Sequence, residues 1–148
     1  MTYAPPVPHM VRSTLDEHRA LRALLRQIES AIERPAPHTD RGPDVVAARL
    51  DALRGPLRAH FDEEERGHLF EEIEELAPDQ APACARLRGE HEGLLGRLDS
   101  LRQASPVERR YAAWAREVRT FLDDLSGHEE RETELLTRTL DGGPSAQD

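Results

Sequence analysis

Residues 111–136 read "YAAWAREVRTFLDDLSGHEERETELL", and the large apolar side chains Tyr111, Trp114, Val118, Phe121 and Leu125 recur in alternating steps of three and four. Such spacing keeps one face of an α-helix apolar, so this stretch packs its stripe against other elements. The next two steps of the same stripe land on His128 and Glu132. Two ionisable residues thus take positions that the pattern assigns to the interior.

The rest of the chain repeats the helical period. Leu15, Leu21, Leu25, Ile28 and Ile32 predict a first helix over 14–34, opened by a capping box of Ser13 and Thr14 with Asp16 and Glu17. Val46, Leu50, Leu53, Leu57, Phe61, Leu69 and Leu76 predict a second over 44–76, kinked rather than ended at Pro56 because the apolar phase survives across it. Leu87, Leu94, Leu95, Leu98 and Leu101 define a third over 80–103, with Cys84 as a small core residue near its start. Ser105 and Pro106 would cap the fourth, which continues toward 140. At 148 residues and 4% aromatic content, the chain suits one all-α domain packed with leucine. The expected architecture is an up-down-up-down four-helix bundle over 13–140. Pro5, Pro6 and Pro8 make residues 1–12 an extended arm, and 141–148 a frayed tail.

Each apolar stripe carries one histidine. His18 lies between Leu15 and Leu21, His60 follows Leu57 by three, and His91 stands between Leu87 and Leu94. Glu64 follows His60 by four, as Glu132 follows His128. Residues four apart lie about 40° apart around a helix and about 6 Å along it, so each pair can reach toward one point. Antiparallel helices joined near residues 38 and 79 bring His18, His60, Glu64 and His91 to one level. A turn near residue 104 would leave His128 too far along its helix.

A buried carboxylate costs several kcal/mol unless paired or bound to a cation. One histidine in a stripe is ordinarily a satisfied core residue; one per helix, with two acids at matching offsets, is a metal pattern. Six donors, His18, His60, Glu64, His91, His128 and Glu132, exceed one tetrahedral zinc and suit two ions bridged by carboxylates. The expected arrangement places His18 and His60 on one ion, His91 and His128 on the other, and Glu64 and Glu132 between them. Spacing alone does not fix which histidine serves which ion. Mixed imidazole and carboxylate ligation favours two iron ions, with manganese or zinc as other occupants. His9 and His38 read as loop residues, His68 as a solvated or outer residue, and Glu65 as adjoining the site.

In these residues, namely His18, "HFDEE" with His60 and Glu64, "EHEGLL" with His91 and "HEERE" with His128 and Glu132, the sequence resembles the hemerythrin-like, or HHE cation-binding, domain over roughly 12–140. The resemblance implies a non-haem di-iron centre held by those six residues, with the two glutamates bridging. O2-carrying hemerythrins have a second histidine four residues after the third-helix one, where this chain has Leu95. They also have an acid five residues after the last histidine, where it has Thr133. The pattern is more similar to symmetric four-His, two-Glu sites of bacterial hemerythrin-like proteins, some linked to NO responses, iron-centre repair or peroxide turnover. Glu90, before His91, has a counterpart in the repair-type proteins.

The formal net charge of −9 disfavours nucleic acid and anionic membranes as partners. No membrane span, secretory leader or cysteine pair stands out, so a soluble cytoplasmic protein is expected. The implied partner is a small molecule: O2, NO or peroxide. The alternative is a di-iron oxidase, oxygenase or peroxide-decomposing enzyme acting on a small substrate.

Overall fold

The computed structural model describes residues 9–33, 42–67, 69–104 and 110–141. Five α-helices follow in order: α1 (His9–Glu33), α2 (Gly42–Arg66), α3 (Leu69–Leu76), α4 (Ala81–Gln103) and α5 (Tyr111–Leu140), with a short 3₁₀ turn at Pro78–Gln80 before α4. No strand occurs among the described residues. The four long helices form the all-α bundle: α1 packs on α2, α2 on α4, α4 on α5, and α5 back on α1. No described helix is long and apolar enough to cross a membrane.

Two helices differ from the sequence reading. The first helix begins at His9, directly after the last of the three N-terminal prolines, so residues 9–12 are helical rather than part of an extended arm. Ser13 and Glu17 accordingly pair within the helix, Oγ to Oε2 at 3.5 Å, instead of capping it. The long second helix is two. It runs unbroken through Pro56 but stops at Arg66, with the Gly67 amide closing the last turn onto the Glu63 carbonyl at 2.8 Å. Glycine is the weakest helix former after proline, and a break there frees Leu69, Phe70 and Ile73 to turn onto α4 and α5. His9 is helical in its backbone, whereas His38, His68, Ser105 and Pro106 lie outside the described residues, as does the tail beyond Asp141.

The pairing of α4 with α5 explains the register that spacing left open. Arg97 donates to Asp124 at 2.7 Å and Arg131 to Glu90 at 2.8 Å, so the two helices are centred on each other about residue 110 rather than 104. His91 and His128 thereby meet, their rings 5.1 Å apart. Trp114 Nε1 donates to the Leu101 carbonyl at 3.1 Å and satisfies its polar atom within the core.

Two apolar clusters fill the interior. The larger includes Leu21, Leu25, Leu57, Phe61, Leu94, Leu95, Phe121 and Leu125; the smaller joins Leu69, Phe70, Ile73, Cys84, Leu87, Leu135 and Leu136. On α4, His91 falls between Leu87 of the small cluster and Leu94 of the large one, and on α5, His128 and Glu132 fall between Leu125 and Leu135. His18, between Leu15 and Leu21, repeats this on α1, and His60 and Glu64 lie between Leu57 and Leu69 across the α2–α3 break. The bundle therefore carries one polar layer, walled on both sides by hydrocarbon.

Candidate metal centre

The six residues singled out by spacing meet in this layer. His18, His60, Glu64, His91, His128 and Glu132 are each no more than 2% exposed. Their donor atoms fall into two groups, His18, His60, Glu64 and Glu132 on one side and His91, His128 and Glu132 on the other. This is the division of histidines anticipated above.

Each of two carboxylates divides its oxygens between the groups. Glu132 Oε1 lies 2.8 Å from His18 Nε2 and 3.8 Å from His60 Nε2, while its Oε2 lies 3.0 Å from His128 Nε2 and 3.4 Å from His91 Nε2. Glu64 places Oε2 3.2 Å from His60 Nε2 and 3.6 Å from His18 Nε2, and Oε1 3.3 Å from His91 Nε2. All four histidines present Nε2 to the interior.

Their other ring nitrogens point outward, and each is held by the preceding helix of the bundle. Glu17 of α1 accepts from His60 Nδ1 of α2 at 2.9 Å, Glu65 of α2 from His91 of α4 at 2.7 Å, and Glu90 of α4 from His128 of α5 at 2.7 Å. Thr133 of α5 closes the circle on His18 Nδ1 of α1 at 2.9 Å. A hydrogen bond at Nδ1 fixes the tautomer that offers Nε2 as a lone pair, the usual support for a metal-ligating imidazole. Phe61 stacks on His91, centroids 4.0 Å apart and nearly parallel, and holds that ring from the side.

Glu129 was missed by spacing. It is buried at 5% exposure, and its Oε2 approaches His18 Nε2 at 2.8 Å and His60 Nε2 at 3.7 Å. It follows His128 directly, about 100° away around the helix, and so looks like part of the charged face in the run "HEERE". Glu17 and Thr133 were also read otherwise, as a capping residue and as a departure from the O2 carriers; the circular pattern of outer partners emerges only when the helices are assembled.

Without a cation, protons neutralise the layer. Burial opposes the charge on His18, but Glu129, Glu132 and Glu64 outweigh it and push its pKa up to about 11. Burial opposes His60 likewise, yet Glu132 and Glu64 push it up to about 12. His91 overcomes burial to reach about 10 through Glu132, Glu64 and Glu65, and His128 is raised through Glu132 and Glu90. Burial pushes Glu132 the other way, but the four histidines hold it well below the ordinary carboxylate range.

These shifts set how the metal-free protein responds to pH. The histidines bind their protons more tightly folded than unfolded, so their contribution is complete below the unfolded value of 6.5 and drains away as pH rises through 10–12. Glu132 contributes above its unfolded value of 4.5 and loses that contribution as pH falls. Chelator-treated protein is therefore expected to be most stable between about pH 4.5 and 6.5 and to weaken steadily above it. Denaturant titrations across pH 4–10 measure this directly; a stability that rises from pH 6.5 to 9 would contradict the protonated layer.

Protons do not satisfy the layer fully. His60 Nε2, both Glu64 oxygens and both Glu129 oxygens are buried without a hydrogen bond, although they lie close to partner atoms. Donor atoms that converge without hydrogen-bonding one another fit a cation placed among them. Imidazole nitrogens and carboxylate oxygens, oriented from behind and sealed by apolar clusters, are what a bundle offers to metal ions.

Such a layer defines a cation-binding helical bundle. The chain belongs to the hemerythrin HHE cation-binding domain family, whose model its residues 9–140 match. No curated protein and no solved structure matches it significantly.

Proposed function

We propose that this protein is a non-haem di-iron hemerythrin-like protein that binds O2, NO or peroxide, in sensing, scavenging or iron-centre maintenance in the cytoplasm. The observation that carries the reading is the division of Glu64 and Glu132 between two pairs of histidines, since a carboxylate with one oxygen toward each group is the geometry of a bridge. His18, His60, His91, His128, Glu64 and Glu132 hold the ions. Iron in this setting supplies a redox-active Lewis acid for a small ligand.

The protein's own contributions are orientation and exclusion. Glu17, Glu65, Glu90 and Thr133 fix the imidazoles, and the two apolar clusters keep bulk water from the layer. A cleft lined by His18, Arg22, Leu25, Ser126, Glu129 and Glu130 reaches it from the α1–α5 side with a volume of about 100 Å³. Pockets for drug-sized ligands hold roughly 300 Å³ or more, so this entrance favours diatomics and peroxide over an organic substrate. Manganese and zinc suit the same donors, and the net charge of −9 disfavours nucleic acid.

Iron-loaded, reduced protein exposed separately to O2 and to NO tests the reading by absorption spectroscopy. A new band that disappears when the gas is removed is expected. A transient band that decays to a ferric product would move the assignment to an oxidising enzyme, and an unchanged spectrum with both gases would overturn it.

A further inference from the structure

The two halves of the layer are not equivalent. Around the inward Nε2 atoms of His18 and His60 stand three carboxylate oxygens: Glu64 Oε2, Glu132 Oε1 and Glu129 Oε2. Around the Nε2 atoms of His91 and His128 stand two, the second oxygens of Glu64 and Glu132. The Glu129 carboxylate pairs with His18 and His60, in the first half.

We infer that Glu129 is a seventh metal ligand, terminal to the His18/His60 ion, so that the two ions have unequal coordination. The inference rests on the two-ion reading above. Glu129 Oε1 is buried without a hydrogen bond and Oε2 is turned onto the Nε2 atoms of His18 and His60, so this carboxylate adds a further negative donor that a cation among them would compensate. Its place in the helix agrees: one residue after His128, it turns from the α4 side toward α1. It also stands with His18 in the lining of the cleft, between solvent and the first half. The first ion would then have five protein groups and the second four, which leaves the larger share of open positions on the His91/His128 ion. An exogenous ligand is accordingly directed there, away from the cleft-side ion that Glu129 fills.

Anaerobic calorimetric titration of the metal-free protein with ferrous iron tests this, comparing wild type with Glu129→Gln, which keeps size and hydrogen-bonding capacity but removes the charge. Wild type is expected to take two ions. In Glu129→Gln one binding event weakens by about tenfold or more, at least the loss typical of an outer partner, while the other stays within about twofold. Placed on His91→Ala, which keeps the first half, Glu129→Gln removes most of the remaining affinity; placed on His18→Ala it changes little. Circular dichroism of each variant confirms the helical fold. Two unaltered events in Glu129→Gln, or equal weakening of both as from a diffuse field, would overturn the inference and leave the two-ion reading standing. Failure of wild type to take two ions would overturn that reading and this inference with it.

Discussion

Glu132→Ala is expected to lose both metal ions and to lower the melting temperature of the metal-free protein by roughly 10 °C, which corresponds to about 3–5 kcal/mol for an unpaired buried charge. Among the described residues, Glu132 alone pairs with all four histidines. On the proposed two-ion reading, its removal takes one oxygen from each ion. In the metal-free state it leaves four imidazoles, each raised in pKa partly through that carboxylate, without their common counter-charge. Metal analysis and thermal unfolding followed by circular dichroism report both effects on one sample. His60→Ala and Glu64→Ala should also lose metal and stability together, since each removes a donor from the same layer. Two ions retained by Glu132→Ala would refute its bridging role.

Metal uptake at pH 7 is expected to release about two protons per ion. The metal-free layer raises the pKa of all four histidines, those of His18, His60 and His91 to about 10–12, and a protonated ring must yield Nε2 before it can ligate. Affinity should therefore rise on the order of a hundredfold per pH unit near neutrality, in proportion to the protons displaced. The sign is opposite to that of the metal-free protein, whose stability falls over the same range. Calorimetry in buffers of differing ionisation enthalpy counts the protons. An uptake that releases none would mean that the histidines are neutral before metal arrives.

The apolar and polar residues of the helix seams were legible in the sequence because helical periodicity acts on every residue of a stripe. His128 and Glu132 could be placed inside from Tyr111, Trp114, Val118, Phe121 and Leu125 alone. What escaped depends on neighbours in space. The end of α2 at Arg66 was hidden because Leu69 and Ile73 continue a plausible helical pattern beyond Gly67; only their packing against Cys84, Leu87 and Leu135 shows that the chain has turned. The α4–α5 register escaped because the pairs of Arg97 with Asp124 and Glu90 with Arg131 join exposed or half-buried residues that a core stripe does not mark. Glu129 and Glu17 sit beside stripe residues in runs of acids, where one sequence looks the same for a solvated carboxylate and a buried one. Their roles follow from which helix each one faces.

We propose that Glu64 and Glu132 bridge a pair of metal ions in the polar layer. The most direct measurement is the metal-to-protein ratio by mass spectrometry after anaerobic loading with ferrous iron and removal of excess, with the protein concentration fixed by amino-acid analysis. Two irons per chain are expected. One iron per chain, or none, would contradict the proposal.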